Sequence, residues 1–415
     1  MHTYIVGGAV RDEILKRQFS DVDYVVVGTT EEEMLQKGYK KVGKSFPVFI
    51  DTKTNEEYAL ARKEIKTGAT HKDFEFIFTP DITLEEDSIR RDFTCNAIYK
   101  DVITGKIIDY HNGIDDINNR VLRHISPHFA EDPLRVLRMC RFSAELNFSV
   151  AKETMELCKK MVEEGALSNL SKDRVWQEFE KALKSPHFYN FVKRARECGL
   201  LEQLLPEVNK LWSVPERTDY HPEGNSGEHT MLALKATQSC DSLVNFAVLM
   251  HDIGKTKTNP ENWPSHKGHN ELGTNVLNEI AKRLNVPEKY KSFAAFSIQN
   301  HMIYHKKLEE NQEELAMIAY MLSTKYNKQY QSRFIRVLAS DMQGRAKQDF
   351  TKEKEEFSKF DKYFTQIIKV IENKKLSSLP NFEERLRNSN NKKETKIKLL
   401  DEYIKNIVKE NPYNL

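Results

Sequence analysis

Ser20-Asp21-Val22-Asp23-Tyr24-Val25-Val26-Val27-Gly28 decides how the first part of this chain is read. The run after Asp23 is β-branched and aromatic, as a buried strand requires. Side chains alternate faces along a strand, so Asp21 and Asp23 leave one face at its start. Two close carboxylates repel unless a cation lies between them. Hard oxygen ligands of this kind suit Mg²⁺. Two such ions about 3.5–4 Å apart can clamp both ends of a phosphoryl transfer. Taken alone, the pair reads better as a polar turn entering a strand.

The stretch upstream changes that balance. Thr3 to Val6 reads as a strand, Gly7-Gly8 follows, and Ala9 to Arg17 has helical spacing. A strand, a glycine pair and a helix start can bring bare backbone N–H groups, at Gly8 for example, against a phosphate. Arg11, in the first helical turn, could meet the same anion. A tight turn needing glycine for geometry alone is the simpler account of this piece by itself. Further along come Glu56 to Arg62, Arg90-Arg91-Asp92-Phe93-Thr94-Cys95-Asn96-Ala97, and Glu131-Asp132-Pro133-Leu134-Arg135-Val136-Leu137-Arg138. This ordered set resembles the class II tRNA nucleotidyltransferases, the CCA-adding enzymes, whose head the bacterial poly(A) polymerases share. The resemblance is close over roughly the first two hundred residues.

At 415 residues the chain exceeds one ordinary core. Its 64 basic and 62 acidic residues nearly cancel, so any RNA footprint must be a local patch. Met1 leads straight into the first strand with no leader, and no apolar run approaches the ~18 residues of a membrane span. Five scattered cysteines without a C-x-x-C fit reduced, buried thiols in the cytoplasm.

The expected fold class is α+β: a small mixed-sheet head, an all-helical body and a helical third segment. The boundaries read as 1–132 for the head, 133–215 for the neck and body, 216–346 for a histidine-bearing domain, and 347–415 for a helical tail. Val42 to Ile50, Glu57 to Ala61, Phe74 to Phe78 and Lys106 to Asp109 read as strands. Glu57 could add a third carboxylate to the Asp pair or equally face solvent. Beyond 133 the apolar spacing is helical, with no β alternation to interrupt it. Asn388 to Thr395 reads as a loop or disordered break.

Arg91 can grip triphosphate oxygens in bidentate fashion, and Asp92 can accept from a ribose hydroxyl. The resemblance implies that this motif holds the sugar and phosphates of the incoming nucleotide. Pro133 fits the first helical position, so Asp132 could be only a helix cap. Arg135, Arg138 and Arg141 line one helical face. The resemblance gives this segment another role: reading the incoming base, with Asp132 accepting an exocyclic amine and Arg135 donating to ring acceptors. C and A carry that amine where G and U carry a carbonyl. Arg138 and Arg141 are then expected to contact phosphate or nucleotide. Ser171 to Glu178 resembles a further family motif in which Asp173 replaces the usual Glu, with Arg174 and Glu178 as buttresses of the base-reading helix.

His229, His251-Asp252 and Asp341 form an H…HD…D order on three expected helices. It resembles the HD phosphohydrolases, in which two imidazoles and two carboxylates hold one divalent cation. Such mixed ligands suit a transition metal such as Ni²⁺. His266, His269, His301 and His305 are candidates for further ligands or phosphate contacts. A retained but vestigial site is the competing reading.

Head, helical body and HD segment together resemble the long bacterial form of the CCA-adding enzymes. The stretch after about 370 departs from that form's glycine-containing ending. The resemblance implies Mg²⁺-dependent addition of CCA to the tRNA 3′ end from CTP and ATP in the cytoplasm. It also implies metal-dependent hydrolysis of 2′,3′-cyclic phosphodiesters, 2′-nucleotides and simple phosphate esters. No membrane partner is expected, and a homodimer is an allowed assembly. Two rivals stand beside this reading. One is a poly(A) polymerase, or an enzyme adding only A or only CC, which the HD segment disfavours. The other is an HD phosphohydrolase with a nucleotide-sensing head, which intact Asp21, Asp23 and Arg91 disfavour.

Overall fold

The run before the glycine pair is strand β1 (His2–Val6), and the run that begins at Asp23 is β2 (Asp23–Val27). The computed structural model describes residues 1–19, 21–42, 48–66, 74–325, 328–347, 349–389 and 391–413. Ser20 and the middle of the expected Val42 to Ile50 strand, 43–47, lie outside them. The chain folds as two compact units, Met1–Ala182 with Asn190–Leu204, and Leu183–Tyr189 with Leu205–Leu415.

In the first unit, β3 (Tyr39–Val42), β4 (Val48–Asp51) and β5 (Glu57–Leu60) continue the sheet. A separate hairpin, β6 (Lys63–Lys66) and β7 (Phe74–Ile77), follows. β8 (Ile98–Asp101) and β9 (Ile107–Asp109) complete the sheet in the order β3-β4-β5-β2-β1-β8-β9. Only β2 and β5 pair in parallel among these described strands. Val25 joins one buried cluster with Val6 and Tyr99, while Val26 joins another with Met34 and Phe49. Both faces of β2 are thus covered, which is why its sequence is continuously apolar rather than alternating.

The register sets Val6 and Glu57 on either side of Asp23. Gly7 then turns at φ +80°, a backbone conformation that side chains resist. The chain enters the short helix Gly8–Ile14, which buries Ala9, Val10 and Arg11.

The body is helical, as its periodicity implies. The Leu134–Leu146 helix buries Leu134, Val136, Leu137, Met139 and Cys140, so it is anchored along most of its length. The expectation of no strand beyond 133 needs one correction. Ser149–Val150 pairs in parallel with Val121–Leu122. Two residues are too few to leave a period-2 signal.

The second unit is helical among its described residues. The helices that position its site are Ser226–Thr237, Ser242–Met250, His269–Leu284, Glu288–Asn300 and Lys328–Gln343. The Thr351–Asn373 helix buries Phe357, Phe360, Phe364, Ile367 and Ile371, and Phe364 lies 6.3 Å from the ring of Phe334. The Asn388 to Thr395 break is shorter than expected: Asn391 caps a helix that starts at Lys392, accepting from Glu394 N. All five cysteines are free thiols, and Cys240, unlike the others, is exposed.

Candidate functional site

One cleft of about 660 Å³ in the first unit is lined by Gly7, Gly8, Asp21, Asp23 and eight arginines. Asp21 and Asp23 are both exposed to it. Glu57 sits beside Asp23 in the sheet but does not line the cleft, whereas Glu64 does.

The arginines are held in place by carboxylates that sequence reasoning missed. Asp87, fully buried, accepts from Arg90 Nε at 3.0 Å through one oxygen and from Arg91 Nε at 3.1 Å through the other. Arg91 also donates to the Tyr99 hydroxyl. Burial and the neighbouring Arg90 lower Arg62 to about 10, against the pull of Glu64 and Asp87. A cation whose charge is opposed by burial and by a neighbouring cation, in a partly open cleft, favours the arrival of an anion. The only local signal for Asp87 is its place four residues before Arg91, one turn back from the end of the Leu84–Ile89 helix.

A polar chain crosses the floor. Arg11 donates to Asn96 Oδ1 at 2.7 Å, and Asn96 Nδ2 donates to Asp92 Oδ1 at 3.2 Å. Arg138 Nε donates to Asp92 Oδ2 at 2.8 Å. Burial alone would raise the Asp92 carboxyl, but Arg138 and Arg135 outweigh it and hold it at about 2. Asp92 is therefore a buried anion already paired, and it fixes Arg138 at the cleft.

The helix starts at Leu134 with Pro133 in the cap position, one residue later than expected, and Asp132 just before it still accepts from Leu134 N at 3.1 Å. Asp132 also receives Arg174 at 3.2 Å and lines the cleft. Arg135 donates to the carbonyls of His128 and Arg90. Arg141 donates through Nε to Glu178 at 2.6 Å and pairs with Glu145. Its guanidinium stacks 3.8 Å over Phe142, a cleft residue that Arg11 and Arg138 also approach. Arg174 and Glu178 thus hold Asp132 and Arg141, the buttressing expected of them.

The second unit has its own cleft of about 770 Å³. His229, His251, Asp252 and Asp341 meet there although they come from three helices. His229 Nε2 lies 3.2 Å from His251 Nε2 and 3.0 Å from Asp341 Oδ1. Asp252 Oδ2 lies 3.3 Å from His251 Nε2. His229 Nδ1 donates to Gly344 O, and His251 Nδ1 donates to Val248 O. A carbonyl only accepts, so both Nε2 atoms are left to face the carboxylates as ligands. Glu223 Oε1 adds a second partner to His229 Nδ1 at 3.2 Å. The pocket is built to hold positive charge, and its mixed N/O donors fit a transition metal.

Of the other histidine candidates, His266 is spent on Thr258 Oγ1 and the Pro215 carbonyl. His305 Nε2 reaches Asp341 Oδ2 at 3.2 Å. Lys255, missed from sequence, donates to Asp252 Oδ2 at 2.8 Å and to Glu216 at 2.7 Å.

Comparison with known proteins falls on the same division. A family model for the poly A polymerase head domain matches residues 3–123, and an HD domain model matches residues 227–333. Between them, residues 147–211 match a probable RNA and SrmB-binding site of polymerase A. A multifunctional CCA protein of Vibrio vulnificus is 45% identical over 323 residues, covering 77% of this chain and 79% of the relative. The chain belongs to the multifunctional CCA protein family. It is a CCA-adding nucleotidyltransferase with an HD domain behind its head and body. Family membership also accounts for the fold. The Bacillus stearothermophilus CCA-adding enzyme, solved with CTP, aligns at TM-score 0.64 and 21% identity over 99% of this chain and 90% of that one. A tRNA nucleotidyltransferase, solved with a primer tRNA and an ATP analogue, aligns at TM-score 0.52 and 24% identity over 89% and 96%. Among the described residues no helix is long and apolar enough to cross a membrane.

Proposed function

We propose that this member of the family adds C, C and A to the 3′ end of tRNA from CTP and ATP in the cytoplasm, using the first cleft. The observation that carries the reading is that Asp21, Asp23, Arg91, Asp132 and Arg135 line one cleft together with further arginines. The two carboxylates are hard, exposed oxygen donors, which suits Mg²⁺. When bound there, Mg²⁺ supplies charge neutralisation at the triphosphate and makes the attacking hydroxyl more acidic.

The chain's own residues do the rest. Arg91, braced by Asp87 and Tyr99, presents fixed donors to the triphosphate. Gly8 and Arg11 border the same anion, and Asp92 positions Arg138 beside it. Arg141, braced by Glu178, completes the nucleotide contacts. Asp132 accepts the amine of C or A, and Arg135 donates to the ring acceptor beside it, so the protein stands in for a template. The terminal 3′-hydroxyl gives its proton to solvent water, its oxygen forms a bond to the α-phosphorus, the α–β bridging P–O bond breaks, and pyrophosphate leaves.

The HD cleft is a separate site for phosphoester hydrolysis; His229, His251, Asp252 and Asp341 would hold a divalent cation there, which would make a water molecule acidic enough to attack the ester. Supporting this, the two imidazole Nε2 atoms lie 3.2 Å apart, and each lies within 3.0–3.8 Å of an oxygen of Asp252 and of Asp341. A primer-extension assay on tRNA lacking its 3′ end, with each nucleotide supplied alone, tests the first activity. Incorporation of C followed by A is expected; a long A tail would favour poly(A) synthesis instead.

A further inference from the structure

The Lys328–Gln343 helix carries Asp341 near its end and stops before Gly344. A Cβ at Gly344 would lie 2.9 Å from Cε1 of His229, so the chain leaves the helix hard against that ring. Gly344 O accepts from His229 Nδ1 at 2.9 Å, and Ala346 N donates to Glu223 Oε2 at 3.0 Å. Arg345 is thus fixed through both neighbours, and its side chain lines the HD cleft.

That guanidinium is largely unspent. Its Nε is buried and has no hydrogen-bond partner among the described residues. Its Nη2 makes one long contact, 3.4 Å to His305 Nδ1. Arg345 only donates, so that Nδ1 is the acceptor, and His305 donates through Nε2 to Asp341 Oδ2 at 3.2 Å. The cleft's other guanidinium, Arg217, is paired with Asp219, and Lys255 is held between Asp252 and Glu216. Lys267 stands exposed at the rim. A buried N–H without an acceptor is unfavourable, and in an open cleft it favours a ligand that brings the acceptor.

The planar fork of a guanidinium matches two oxygens of one phosphate. One imidazole ring separates Arg345 from Asp341, so a phosphate on this fork would sit beside the cation-holding groups. A terminal phosphate monoester has three non-bridging oxygens: two can meet the fork while the third stays free for a cation. A 2′,3′-cyclic phosphate has only two, so a cation that takes one leaves Arg345 a single oxygen.

We propose that Arg345 is the phosphate-binding group of the HD cleft and that its fork selects terminal phosphate monoesters over cyclic diesters. This rests on the reading that the HD cleft hydrolyses phosphoesters.

The test uses the full chain loaded with Mn²⁺. Parent, Arg345→Gln and Arg345→Lys are assayed on a nucleoside 2′-monophosphate and on the matching 2′,3′-cyclic phosphate. In Arg345→Gln, kcat/KM on the monoester should fall roughly 10- to 100-fold, mostly through KM, and on the cyclic diester by less than about 5-fold. Arg345→Lys keeps the charge but loses the fork, and should lose nearly as much on the monoester. Equal losses on both esters, or an unchanged KM on the monoester, would overturn the proposal. Titration calorimetry with inorganic phosphate reads the subsite apart from catalysis. The first cleft contributes equally to parent and variants, so one binding event fewer is expected in Arg345→Gln, at the parent's metal content and melting temperature. Identical phosphate binding in parent and variant would overturn the subsite. A parent that hydrolyses neither ester with Mg²⁺, Mn²⁺ or Ni²⁺ would overturn the hydrolytic reading, and with it the selection between esters, while the titration still decides the phosphate subsite. If Arg345→Gln melts early, Arg345→Lys decides by the same measurements.

Discussion

Asp132→Asn separates the two roles that one carboxylate carries. Asn keeps an oxygen for Leu134 N, which donates to Asp132 at 3.1 Å. What changes is the other end of the side chain, where an acceptor becomes an NH₂ donor. The ion pair with Arg174 at 3.2 Å is lost, but both side chains are about a third exposed, so solvent screening limits that loss to ~1 kcal/mol or less. The effect on base choice is larger. A charged acceptor facing the amine of C is worth ~1.5–3 kcal/mol, and reversing it to a donor favours the carbonyl of U. The preference for CTP over UTP, read as a ratio of kcat/KM, should fall roughly 10- to 100-fold. The assay is single-nucleotide primer extension on tRNA lacking its 3′ end, with thermal melting of the same preparation beside it. A preference within threefold of the parent, in a variant that melts normally, would refute base reading and leave Asp132 as a partner of Leu134 N at the helix start.

Asp21→Ala or Asp23→Ala should abolish nucleotide addition while leaving phosphoester hydrolysis intact; addition at near-parent rates with Mg²⁺ would move the active site elsewhere. Asp252→Ala should do the reverse, and a parent enzyme that hydrolyses no 2′,3′-cyclic nucleotide with Mg²⁺, Mn²⁺ or Ni²⁺ would mean a vestigial HD cleft. Glu178→Leu leaves the buried Arg141 with only half-exposed Glu145, and should destabilise the first unit by ~3 kcal/mol as measured by hydrogen exchange along the Leu134–Leu146 helix. Asp92, drawn down from 3.8 to about 2 by Arg138 and Arg135 against its burial, stabilises the fold fully above pH 4 and loses that contribution progressively as the pH falls from about 4 through about 2. Asp92→Asn should therefore carry the same stability deficit, ~2 kcal/mol, at pH 5 and pH 8; a deficit that vanished at pH 5 would contradict the pairing.

The local character of this chain is written in its sequence. The strand after Asp21, the glycine turn before the Gly8–Ile14 helix, and the buried stripe of the Leu134–Leu146 helix all follow from periods of two and 3.6 residues. So does the presence of the Asp21/Asp23 pair and of the H…HD…D set, because chemistry of that kind needs particular residue types. Which groups meet was not written there. Arg138 finds Asp92 46 residues away, Arg141 finds Glu178 37 residues away, and His229 finds Asp341 112 residues away. Asp87 reads locally as one more acid in a helix's first turn, and becomes the anchor of two cleft arginines only because packing buries it. His269 and His301 looked no different from His266 in sequence. Their Nε2 atoms reach Asp252 because the Ser242–Met250, His269–Leu284 and Glu288–Asn300 helices pack together, whereas His266 turns to Thr258 and Pro215. Local periodicity fixes which face a side chain takes; the partner on that face is set by side-chain packing between segments far apart in the chain, which no local pattern encodes.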